Sequence, residues 1–137
     1  MVGLGFVSAA LAEARWAAGG PTWLYLFTWA TTAFGGRPGA MHTLEIPFVF
    51  YTLDRRPSPE LTGGPPDTAR LLAERMHRTW AEFAHKGDPN HDGIPPWPVY
   101  EPQRRATMIL DIDCVVEDDA QRDRRLLWED LAAQTGE

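Results

Sequence analysis

The sequence predicts an α/β fold, and three observations carry that expectation. An Ala-rich run of good helix formers, residues 4–18, stops at Gly19 and Gly20 and passes through Pro21 directly into an aromatic-rich strand. In that strand, residues 22–29, Trp23, Tyr25, Phe27 and Trp29 alternate with Leu24, Leu26 and Thr28. Bulky apolar groups then point to both faces, the pattern of a strand covered on each side. A long amphipathic segment and a second apolar strand follow later in the chain.

The first helix carries Phe6, Ala10, Glu13 and Arg15. Its opening, from Met1, has small residues but no positively charged n-region, so it reads as an amphipathic helix and not as a secretory signal. After the strand, residues 30–40 form a loop, broken by Gly35, Gly36, Pro38 and Gly39. Residues 45–51 are apolar around Pro47 and predict a short irregular or helical turn. Residues 55–66, with Pro57, Pro59, Gly63, Gly64, Pro65 and Pro66, predict a second loop.

The clearest helix is Asp67 to Lys86. Asp67 is placed to cap it, accepting from first-turn N–H groups. Leu72, Met76, Trp80 and Phe83 make an apolar stripe, and Arg70, Glu74, Arg78, Glu82 and Lys86 alternate in sign every four residues. Gly87, Asp88 and Pro89 end it. A Pro-rich loop runs to Pro102, followed by a strand at 106–112 and a final helix near 120–133, where Leu126, Leu127 and Leu131 sit among charged residues.

Composition narrows the function classes. The chain has 137 residues, 44% of them apolar and 11% aromatic, with six tryptophans, enough to bury a core. It is shorter than most complete enzymes of the large α/β classes. A net charge of −6 argues against nucleic acid as a partner. No apolar run reaches the length of a membrane-spanning helix. The single Cys114 excludes an internal disulfide and every Cys-based zinc box, and it suits a reducing compartment, with the cytoplasm favoured.

Among the four histidines, His42 stands out, because it follows a Gly-rich loop that itself follows the strand at 22–29. Loops at the C-terminal ends of strands are where α/β proteins place reactive groups, and imidazole is a general base near neutral pH. On spacing alone, a surface-loop histidine bonded to backbone is the simpler reading.

The segment Gly39-Ala40-Met41-His42-Thr43-Leu44-Glu45-Ile46-Pro47-Phe48-Val49-Phe50 closely resembles the histidine segment of type-B carboxylesterases, the serine esterases of α/β-hydrolase fold related to cholinesterases. The resemblance continues in Trp80-Ala81-Glu82-Phe83-Ala84-His85-Lys86-Gly87-Asp88-Pro89-Asn90, in Trp97-Pro98-Val99-Tyr100 and in Arg105-Ala106-Thr107-Met108. It ends near Arg125-Leu126-Leu127-Trp128 and includes Ala12-Glu13-Ala14-Arg15 and Tyr25-Leu26-Phe27 upstream. It implies that residues 1–137 are the C-terminal portion of such a domain and that His42 is the triad histidine. His42 would take the proton of the serine Oγ, return it to the leaving alcohol, and then activate water. The implied substrate is a small-molecule carboxylic ester, with no cofactor and no metal.

The chain departs from that family in an informative way. Its only serines are Ser8 and Ser58, and neither Gly5-Phe6-Val7-Ser8-Ala9 nor Arg56-Pro57-Ser58-Pro59-Glu60 is a G-x-S-x-G elbow. The family's oxyanion-hole segment is not present either. The triad acid is missing too, since in this fold the acid falls between serine and histidine. The chain alone is therefore expected to be inactive, and a noncatalytic binding or structural module derived from an esterase is the competing expectation. With covers missing from the strand at 22–29, the isolated chain is expected to self-associate or to bind a complementary N-terminal esterase fragment through that edge.

Other candidates are weaker. Glu45, three residues after His42, is read as fixing the loop and not as the triad acid. Position 46 is Ile, so the segment is no H-x-x-E-H zinc site. Asp88-Pro89-Asn90-His91-Asp92-Gly93 begins like a calcium loop, but the position that needs a bidentate Glu is Val99. Trp80, Phe83 and Trp97 are read as packing groups, Cys114 as a small hydrophobe, and His77 and His85 as helix-face and helix-end residues.

Overall fold

A computed structural model describes residues 2–63 and 66–135; the expectations resting on Met1, Gly64, Pro65 and the Phe6 side chain fall outside it. The chain runs α1 (Val2–Ala17), β1 (Leu24–Phe27), a 3-10 turn (Ala33–Gly36), α2 (Ile46–Val49), α3 (Ser58–Thr62), α4 (Asp67–Lys86), β2 (Ala106–Leu110), β3 (Val115–Asp118) and α5 (Arg122–Thr135). The strands form one sheet in the order β1-β2-β3. Four residues join β2 to β3, too few for a parallel crossover, so these two strands run antiparallel.

The chain divides into two compact units. Unit 1 comprises Met1–Leu24, Pro98–Thr107 and Glu117–Glu137. In it α1 touches α5, and the fully buried Tyr100 accepts at its hydroxyl from Arg105 Nη1 at 3.0 Å. Arg105 also pairs with Glu13 at 2.5 Å. Asp119 receives Arg125 through two bonds, 2.9 Å and 2.6 Å, with Arg105 and Arg122 nearby. Charges from three separate stretches of sequence thus meet in one network.

Unit 2 comprises Tyr25–Trp97 and Met108–Val116. Its core holds Trp29, Leu44, Phe48, Leu72, Ala73, Met76, Trp97, Met108 and Leu110. Three ring pairs organise it. Phe48 of α2 meets Phe27 at 5.2 Å and Trp29 at 5.0 Å, while Tyr25 meets Trp80 of α4 edge-on at 5.1 Å. His77 of α4 donates from Nδ1 to the Val49 carbonyl at 2.9 Å, tying α4 to α2.

Several sequence expectations need correction. The strand is four residues long and only half-buried, with Tyr25 39% exposed, because β1 lies at a sheet edge. Burial on both faces belongs instead to the central β2, whose Ala106, Thr107, Met108 and Leu110 are all buried. Residues 58–62, expected as loop, form α3, started by Pro59 in its first turn, where a missing N–H costs nothing. The strand β3 lies in a segment read as connection, since its Asp and Glu content masks it.

In α4 the cap position falls to Pro66 and no side-chain capping bond forms; Asp67 sits in the first turn, where its charge suits the helix dipole. The buried stripe is Ala69, Leu72, Ala73, Met76 and Thr79. Phe83 lies off it, 49% exposed. Of the charge ladder, Glu82 pairs with Lys86 at 2.6 Å and Arg78 at 3.8 Å. Arg70 turns away to grip Asp54 with two bonds of 2.7 and 2.8 Å.

Candidate functional site

His42 lies in the turn between the loop that leaves β1 and helix α2, with an exposed side chain. Two buried anchors hold the backbone after it, Leu44 and Phe48, both 0% exposed. Phe48 is the residue packed on Phe27 and Trp29, so the aromatic content of the strand segment fixes where α2 starts. Thr43, next to His42, has φ +71°. That is an unfavourable conformation for a β-branched residue, and such strain concentrates at functional positions. The chain thus presents one imidazole outward from a firmly seated turn.

Among the described residues the His42 imidazole has no hydrogen-bond partner, so the structure brings no carboxylate to it. Glu45 is half-buried, and its carbonyl accepts from the amides of Phe48 and Val49, both at 3.0 Å, starting α2. Burial pushes the Tyr25 phenol up, and the Glu45 charge adds to that. Ser58 is buried in α3, and its carbonyl accepts from Thr62 Oγ1 at 2.9 Å; Ser8 is exposed on α1.

The remaining candidates sit elsewhere. His91 accepts at Nδ1 from the Gly93 amide at 3.0 Å, which leaves Nε2 to carry the proton toward Thr79 Oγ1 and the Arg75 carbonyl. Burial lowers the pKa of His91, although the Arg75 carbonyl opposes this. Asp88 accepts from both the amide and the side chain of Asn90. Asn90 in turn clamps both main-chain groups of Trp97, at 2.7 and 2.9 Å. The segment that begins like a calcium loop is spent on these bonds, and among the described residues no group of three metal-ligating side chains gathers. Cys114 is buried, and that burial raises its thiol pKa. Among the described residues no helix is long and apolar enough to cross a membrane.

Thr31, Thr32 and Gly63 join the start of the His42 loop to α3, a role that the sequence does not single out for any of them. A Thr-Thr pair just after a strand is a faint signal of side chains bonding to backbone.

Comparison with known proteins places this geometry in context. The profile of the Carboxylesterase family matches residues 3–128. A para-nitrobenzyl esterase of Bacillus subtilis (strain 168) is 33% identical over 125 residues, covering 87% of this chain and 23% of that protein. Among solved structures, a PNB esterase superposes with a TM-score of 0.76 at 30% identity, over 86% of this chain and 24% of the other. The Geobacillus stearothermophilus carboxylesterase gives 0.73 at 33% identity, over 85% and 24%. The chain therefore spans about a quarter of the length of these relatives. With the fold of the α/β-hydrolase esterases and a family match along nearly its whole length, this chain belongs to the carboxylesterase family.

Proposed function

We propose that this chain is the C-terminal segment of a serine carboxylic-ester hydrolase and that His42 is its general base. The observation that carries the reading is the exposed imidazole on the anchored turn beyond β1, in a chain of this family. The serine elbow, oxyanion hole and triad acid would come from sequence outside these 137 residues, in keeping with the order serine, acid, histidine. His42 Nε2 accepts the serine Oγ proton as Oγ attacks the ester carbonyl. The tetrahedral oxyanion then collapses, expelling the alcohol oxygen, which takes that proton. Water attacks the acyl-enzyme in the same way, returning acid and free serine. The substrates would be small carboxylic esters, and β1 at the sheet edge would be the surface on which the chain meets a complementary segment or a second copy.

Para-nitrophenyl acetate tests this directly. The isolated chain should hydrolyse it no faster than free imidazole. Mixed with an upstream esterase segment that carries a serine elbow, it should turn over substrate, and His42→Ala should reduce that rate by at least about a thousandfold. Activity of the mixture that survives His42→Ala would overturn the assignment. Efficient hydrolysis by the chain alone would show that no complementary segment is needed. The second reading, a noncatalytic module, is favoured by the positions of Ser8 and Ser58 outside any elbow. It would be upheld by failure of every such mixture.

A further inference from the structure

We propose that Thr31 is a positioning residue for His42, acting through the backbone of the loop between them; the proposal rests on reading His42 as the general base. Thr31 is 2% exposed and makes three bonds. Its hydroxyl donates to the Leu61 carbonyl of α3 at 2.6 Å and accepts from the Ala33 amide at 2.9 Å. Its own amide donates to the Gly39 carbonyl at 3.2 Å. That last bond closes the loop at its base, three residues before His42. The hydroxyl then fastens the closed base to α3.

A second contact reinforces the same junction. Thr32 Oγ1 donates to the Thr62 carbonyl at 3.2 Å. Gly63, which ends α3 with φ +75°, lies so close that an added Cβ would stand 2.5 Å from the Ala33 nitrogen. The turn is therefore held on both sides, by Leu44 and Phe48 after His42 and by the Thr31 junction before it. Loss of the hydroxyl strands the buried Ala33 N–H and the part-buried Leu61 carbonyl together, and both would seek water by opening the loop base.

Histidine ring resonances of the full chain, with native-state amide exchange, test the proposal through three variants. Thr31→Val keeps the shape and removes the hydroxyl. It should split or broaden the His42 Hε1 signal and speed Ala33 and Leu44 amide exchange by about tenfold. The His91 signal should stay in place. Thr31→Ser, which keeps the hydroxyl, should restore the His42 signal. Thr79→Val, which removes another buried hydroxyl, should move His91 and spare His42. A His42 signal unchanged in Thr31→Val, or all four histidine signals moving together, would overturn the proposal. Should Thr31→Val fail to fold, exchange in the unmodified protein decides: Ala33 and Leu44 must open as one unit, and independent opening counts against the junction. Failure here leaves the His42 assignment standing, because that is tested separately by His42→Ala in the ester assay.

Discussion

Gly63 and Gly87 share nearly the same backbone conformation, φ +75° and +73°, each ending a helix. Their surroundings differ. A Cβ on Gly87 would meet nothing within 4 Å, whereas on Gly63 it would collide with the backbone of Thr32 and Ala33. Gly87→Ala should therefore cost only the left-handed penalty, about 1 kcal/mol, and Gly63→Ala about 2–4 kcal/mol. Urea unfolding of both variants measures the difference, and equal losses would deny the tight junction. At His91 the sign of the pH effect follows from its lowered pKa, caused first by burial. The native state prefers the neutral ring, so the contribution is complete above the ordinary value of 6.5 and is lost as pH falls through the lowered one. Protonating Nδ1 would also set an N–H against the Gly93 amide. Stability should thus decline on mild acidification, and His91→Gln should flatten that slope in urea midpoints taken from pH 7 to pH 5. His42 itself was legible in the sequence, because a Gly-rich loop after a strand and a family-like segment both mark it. Thr31 was not, since its importance lies in a bond to a carbonyl thirty residues away, which no local pattern encodes.

At the scale of elements, the Asp119 carboxylate helps to fasten α5 within unit 1, beside the contact of α5 with α1. Asp119, 15% exposed, holds Arg125, 17% exposed, with two short bonds. Asp119→Ala should lower unfolding free energy by about 2 kcal/mol and release α5 amides to exchange first. A change within about 0.5 kcal/mol would mean that the pair contributes only as an ordinary surface bridge does. The Arg125 bond also holds the Asp119 carboxyl below its usual range. Its contribution is therefore present above the ordinary value of 3.8 and disappears as acid drives the pH through the lowered one. The elements were read from sequence where one signal dominated. Helix α4 was bounded as Asp67–Lys86 because Gly87 and Pro89 stop it and its apolar spacing is regular. Strand β3 escapes notice because it is short, three of its four residues are exposed and two are acidic, and pairing with β2 makes it a strand. For β1 the aromatic pattern identified the strand but not its place at the edge, which depends on partners far away in sequence.

For the molecule as a whole, acidity and exposed apolar surface oppose one another. Phe34, Phe50 and Tyr51 are each more than half exposed, at 68%, 66% and 55%. At neutral pH the net charge of −6 makes copies repel one another and so weakens any association. Near the isoelectric point, about 5.1, that repulsion vanishes. Sedimentation should therefore show association rising as pH falls from 8 toward 5, with added binding of an apolar dye; a monodisperse chain at pH 5 would contradict it.

The make-up of the two units also sets a timetable. Unit 2 is built mostly from one continuous stretch, Tyr25–Trp97, whereas unit 1 is assembled from three stretches lying on either side of it in sequence. Helix α1 is synthesised long before α5, the helix that it touches, and Glu13 must wait for Arg105. Bringing such distant stretches together is entropically slower than closing local ones. On a ribosome, α1 therefore emerges well before Arg105 and α5, the parts of unit 1 that it meets, and the Asp119–Arg125 pair can draw the last helix home only after nearly all of these residues are translated.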